Sequence, residues 1–154
     1  MTYVVVKWLH ILSSTLLFGT GLGSAYYMFF ASQTREPKVI ATVAGLVVWA
    51  DWIFTSTTII FQPLSGLYMA HLAGMPRSSR WLVWSVILYL LTGVCWLPVV
   101  WMQIRMRDMA RHAAGASQPL PAQYWRYLTA WTFLGIPAFL SLVVVFYLMV
   151  AKPM

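Results

Sequence analysis

Four stretches of this chain, residues 3–31, 39–61, 81–104 and 125–151, stay apolar over the length a membrane-crossing helix needs. A hydrocarbon core of about 30 Å takes roughly 20 residues of α-helix. Backbone groups in lipid have no water to bond, which restricts spanning structures to helices and closed barrels. The runs lack the apolar/polar alternation of barrel strands. The expected fold is all-α: an integral membrane four-helix bundle, with residues 1–154 forming a single four-span domain.

Composition narrows the chemistry. The chain is 61% hydrophobic and 8% charged, outside the range of soluble domains, so any activity sits within or beside the helices. With three acidic residues it has little material for a hydrolytic carboxylate pair. No zinc spacing, phosphate loop or nucleophile triad can be assembled. The net charge of +7 speaks for orientation and anionic lipid contact, not nucleic acid. Cys95 stands alone in an apolar run, which rules out an intramolecular disulfide and makes it a small core residue. The first helix has no positive stretch ahead of it and is expected to be retained, not cleaved as a signal.

Connections are expected at 32–38, 62–80 and 105–124, the last containing the flexible "AAGASQPLPAQ". Arg35, Lys38, Arg105, Arg107, Arg111 and Arg126 fall on one side, and Arg77, Arg80, Lys152 and Lys7 on the other. The positive-inside rule then puts both termini outside. Tyr3, Trp8, Trp81, Trp84, Trp101, Tyr124 and Trp125 flank the spans as headgroup anchors. Pro63, Pro98 and Pro137 kink their helices and free a carbonyl.

The polar residues are the anomaly. On the first helix His10 shares a face with Lys7, Ser13, Ser14, Leu17, Gly21 and Ser24, while Gly19 and Gly23 make a small-xxx-small pair for close packing. On the second, Asp51, Thr55, Thr58, Gln62 and Ser65 form one stripe. A charge at a helix centre costs about 2.5–3.5 kcal/mol even on the lenient insertion scale, so the stripe should face the bundle interior. A rise of about 1.5 Å per residue sets His10 roughly 10 Å below the outer surface and Asp51 roughly 18 Å above the inner one. In a core of about 30 Å these are nearly one level, with Lys7 a turn above.

Two readings of that cluster stay open. One is structural: Asp51 neutralised by Lys7, with His10 hydrogen-bonded nearby. The other is a cofactor site or proton relay. A neutral imidazole is a standard axial ligand for haem iron when a carboxylate or similar acceptor holds its other nitrogen. On that reading His10 is the iron ligand and Asp51 orients it or relays protons. Gly21 admits the macrocycle, and Lys7, Arg77 or Arg80 meets the propionates. His71 is a candidate second ligand or a surface residue, and His112, on the other side, a loop histidine.

The segments "KWLHILSSTLLFGTGLGSAYYM", "ADWIFT", "QPLSGLYMA", "CWLPVVWMQIRM", "YWR" and "YLMVAKP" together resemble the bacterial inner-membrane family DUF2269 over nearly the whole chain. The resemblance implies a four-span architecture and, by itself, no activity. The K-x-x-H-I opening with its glycine-bearing apolar run is similar, over the first helix alone, to HemJ-type protoporphyrinogen oxidases and CopD-type copper-resistance membrane proteins. In the HemJ type a first-helix histidine is tied to haem and porphyrin chemistry, which maps onto His10. The resulting expectation is a small b-type haem or porphyrin-handling redox protein, possible partners being the lipid bilayer, a porphyrin, a quinone, another membrane protein or a second copy as a homo-oligomer. The alternative is a non-enzymatic module for small-solute or proton transport, or an accessory subunit of a membrane complex.

Overall fold

The computed structural model describes residues 1–76 and 78–152. Arg77, a candidate propionate partner on sequence grounds, lies outside the described residues. Four helices, α1 (Thr2–Gln33), α2 (Pro37–Leu72), α3 (Arg80–Gly115) and α4 (Ala122–Ala151), are each long and apolar enough to cross a membrane. No strand occurs among the described residues.

The helix ends follow backbone chemistry more closely than hydropathy. Pro37 opens α2 at a position where its fixed φ suits the helix and its missing N–H is not needed. The helix stops at Gly74, whose φ of 63° reverses the chain while Gly74 and Met75 bond back to His71 and Ala70. Ser117, at φ 53°, closes α3 the same way, its N–H on Ala114 and that of Gln118 on Ala113.

Both helices therefore outrun the expected spans, and each is 36 residues long. Most of 62–80 is helix, and so is the basic stretch through His112. Arg, Met and Ala are good helix formers, and backbone bonding continues past the lipid until a breaker intervenes. His71 lies in the last turn of α2 instead of a connection that folds back.

The helices form two hairpins, α1–α2 and α3–α4, and the first half of α2 packs on α3. In lipid this association rests on close packing and interhelical hydrogen bonds, because lipid tails are as apolar as the side chains. The end carrying the two hairpin loops is well filled by Met28, Ile40, Val47, Met106, Tyr124 and Trp131. There the Ser32 hydroxyl donates to the Met28 carbonyl at 2.7 Å, so Tyr124, 2.7 Å away, donates to Ser32. Tyr124 is wholly buried and is a core residue, not a headgroup anchor. Trp81, Trp101 and Trp125 do sit beside cations, Lys152, Arg105 and Arg35, at 5.6–5.7 Å.

Two irregularities shape α2. Residues Asp51–Thr55 form a π turn, in which the Ser56 N–H reaches back five residues to the Asp51 carbonyl. Further on, Pro63 offers no N–H to Ile59. The Tyr89 hydroxyl of α3 donates to that carbonyl instead, at 2.7 Å.

A histidine-walled cavity

At the opposite end the hairpins part. α1 packs on the second half of α2 and α3 on α4, leaving between them a cavity of about 640 Å³. Tyr3, Met75, Trp81 and Lys152 line it, which places its mouth where all four helices end. Phe18 stacks with Phe139 and Phe146 of α4 at 5.0 and 5.5 Å between centroids and closes it below. The wall is mostly apolar; among the described residues its cations are Lys7 and Lys152 and its buried polar side chains are His10, Gln62 and Ser85.

The bonding around His10 fixes its tautomer. Ser65 Oγ lies 2.7 Å from His10 Nδ1 and 2.7 Å from the Phe61 carbonyl. A hydroxyl has one proton, and a carbonyl can only accept it. Ser65 therefore donates to Phe61 and accepts from Nδ1–H. Nε2 keeps its lone pair and makes no hydrogen bond to the described residues. Gln62 Nε2 donates to the His10 carbonyl at 3.0 Å, anchoring the backbone beneath the ring. A Cβ at Gly66 would stand 3.4 Å from His10 Cε1, so Gly66 leaves the ring its place.

The polar stripe on α2 faces inward as its spacing implies. Asp51, Thr55, Thr58, Gln62 and Ser65 are all buried, as are His10, Ser13 and Ser24 on α1. The expected meeting of His10 with Asp51 does not occur. Ser65, 14 residues beyond Asp51, is the residue that bonds His10, a separation of about 20 Å along the helix. The depth count fails because α2 ends at Leu72, not near Phe61, which slides its far half up against the start of α1. Lys7, exposed at the cavity mouth, is likewise far from Asp51 and does not neutralise it.

Other candidates are redistributed. Gly21 is exposed, meets nothing within 4 Å and does not line the cavity; Gly66 holds the close approach instead. Gly19 and Gly23 also meet nothing, so no helix of this chain packs on them. His71 and Arg80 are exposed and line no part of the cavity, and His112 is exposed at the other end. Sequence reasoning missed Ser65 as the imidazole's partner, Lys152 at the mouth, and three thioethers in the wall, Met69, Met75 and Met149. Ser65 was legible as the last member of the stripe. The methionines carried no signal in so apolar a chain.

Fold and cavity together define a four-span α-helical integral membrane protein. Residues 4–153 match the family described as "Predicted integral membrane protein (DUF2269)", and the chain belongs to that family. No curated protein and no solved structure matches it.

Proposed function

We propose that this is a small b-type haem or porphyrin-handling membrane redox protein, with His10 as the axial ligand. The observation that carries the reading is an imidazole whose Nδ1–H is committed to Ser65, leaving Nε2 unprotonated in the wall of a 640 Å³ apolar cavity. That volume lies within the roughly 300–1,000 Å³ of cofactor sites. The residues present fit a haem: an oriented neutral imidazole, apolar walls, and Lys7 and Lys152 at the mouth for carboxylates. Met69, Met75 and Met149 offer sulfur donors of the kind that serve opposite histidine in some haem proteins. Bound there, haem b would supply one-electron chemistry. The chain's own part is to orient the ligand, exclude water and hold the anionic edge at the mouth.

The proposed setting is a bacterial plasma membrane, and the charge distribution supports both termini lying outside. The proposal is tested by purifying the full chain after haem supplementation and recording its visible spectrum. A Soret band is expected in the wild type and its loss or displacement in His10→Ala. A colourless wild type, or an unchanged band in His10→Ala, overturns it.

A further inference from the structure

A second site lies away from the cavity. Asp51 is 6% exposed, about 20 Å along α2 from the level of His10, and no ion pair to it occurs among the described residues. Thr55 Oγ1 donates to its Oδ1 at 2.8 Å, and the Gln103 amide of α3 turns its N–H toward the same carboxyl. Gln103 is 3% exposed, and its Oε1 has no hydrogen-bond partner among the described residues.

One arrangement meets both features. A carbonyl oxygen only accepts, so Gln103 Oε1 lacks a donor, while an ionised carboxylate has no proton to give and no cation to balance it. A protonated Asp51 carries no charge and one O–H. The amide, turned about its last torsion, presents its oxygen to that proton. The nearest cations lie toward the loop end of α3: Arg107, one turn beyond Gln103 and paired with Asp108 at 2.8 Å, and Arg111, whose guanidinium rests against Gly45 of α2; neither makes an ion pair with Asp51 among the described residues. Opposite Asp51, residues 15–32 of α1 offer only the exposed Tyr26 and Tyr27, residues 93–104 of α3 only Cys95, and residues 128–142 of α4 none.

The backbone is unusual at the same place. The Asp51 carbonyl opens the π turn and accepts from both the Ser56 N–H and Ser56 Oγ, the latter at 3.0 Å. Single wide turns of this kind recur at functional sites. From here Thr58, Gln62 and Ser65 continue as a buried polar seam against α1 to the cavity wall. Ser13 Oγ on α1 is another buried atom with no partner among the described residues.

We propose that Asp51 is a proton-binding carboxyl within the bundle, neutral in the resting protein, its acid proton shared with Gln103 and its carbonyl oxygen held by Thr55. The site is independent of haem ligation, since it neither touches His10 nor lines the cavity.

Infrared difference spectroscopy of the full chain in lipid nanodiscs, wild type minus Asp51→Asn, tests this directly. At pH 7 the difference should contain the C=O stretch of a carboxylic acid. In parallel, dicyclohexylcarbodiimide, which attacks protonated carboxyls in apolar surroundings, should label Asp51 and leave the exposed Glu36 and Asp108 unlabelled. The labelling should fall about ten-fold per pH unit once the site deprotonates and should be unchanged in His10→Ala. Should Asp51→Asn not fold, Gln103→Met serves: it removes the acceptor and should shift the acid C=O stretch while Asp51 stays neutral. Carboxylate bands alone at pH 7, absent labelling, or labelling suppressed by sodium ions at fixed pH would each overturn the proposal, the last by showing a sodium site.

Discussion

Ser65 has a single hydroxyl proton, and its commitment to the Phe61 carbonyl decides what His10 can do on its far nitrogen. Removing a group that orients a ligating histidine costs about 10–100-fold in affinity in characterised metal sites. Ser65→Ala should weaken haem binding by about that factor, read by titration in detergent, while His10→Ala abolishes ligation. Equal affinity in Ser65→Ala and wild type would remove the tautomer from the argument. The mouth lysines make a separate case. Lys7→Ala with Lys152→Ala should weaken binding of a free-acid porphyrin and leave its dimethyl ester unaffected; equal losses for both would show that charge recognition is not what these residues supply. His10 and Lys7 were visible as polar letters in an apolar run, whereas Lys152, just past the last span, was not. Their partners were not, because pairing depends on where a helix ends, and hydropathy reports where lipid ends.

Proline 63 and Tyr89 show how α2 is tied to its neighbours. The carbonyl that Pro63 leaves free is the one Tyr89 fills, so the two residues should be energetically coupled. Tyr89→Phe is expected to cost about 0.6 kcal/mol, the average for interhelical hydrogen bonds in membranes, and at most about 1.7 kcal/mol. It should cost less in a Pro63→Ala background, where a restored N–H bonds Ile59; a double-mutant cycle of thermal stability measures the difference. Additive effects would separate the two residues. The π turn gives a sharper contrast. It holds one residue more than an α turn, so deleting the exposed Trp52 should let α2 close as a regular helix with both faces in register. Deleting the exposed Leu46, within regular α-helix, rotates everything before it by about 100° and should unseat Ile40 and Ala44. The yield of monodisperse protein distinguishes the two; equal loss would mean that the π turn is not a removable insertion. Nothing in the sequence marks this turn, since its period matches the α-helical stripe to within a residue.

The whole bundle is filled at its loop end and open at the end where all four helices finish. The four spans were legible because apolar runs of this length have one physical use. The cavity was not, because cavity-lining and lipid-facing residues are equally apolar: Leu67 and Phe146 line it, yet nothing in their sequence context separates them from neighbours facing lipid. The charge asymmetry makes a claim about the entire molecule. Alkaline phosphatase fused to either end should be active in a bacterial host, and a fluorescent reporter that folds only inside should stay dark; the opposite pattern would invert the bundle and place the cavity mouth on the cytoplasmic side. The haem reading itself is best tested by supplying the missing ligand from solution. His10→Gly, reconstituted with haem, should lack the wild-type Soret band and regain it on addition of free imidazole. A wild-type band in His10→Gly without imidazole, or none with it, would contradict ligation by His10.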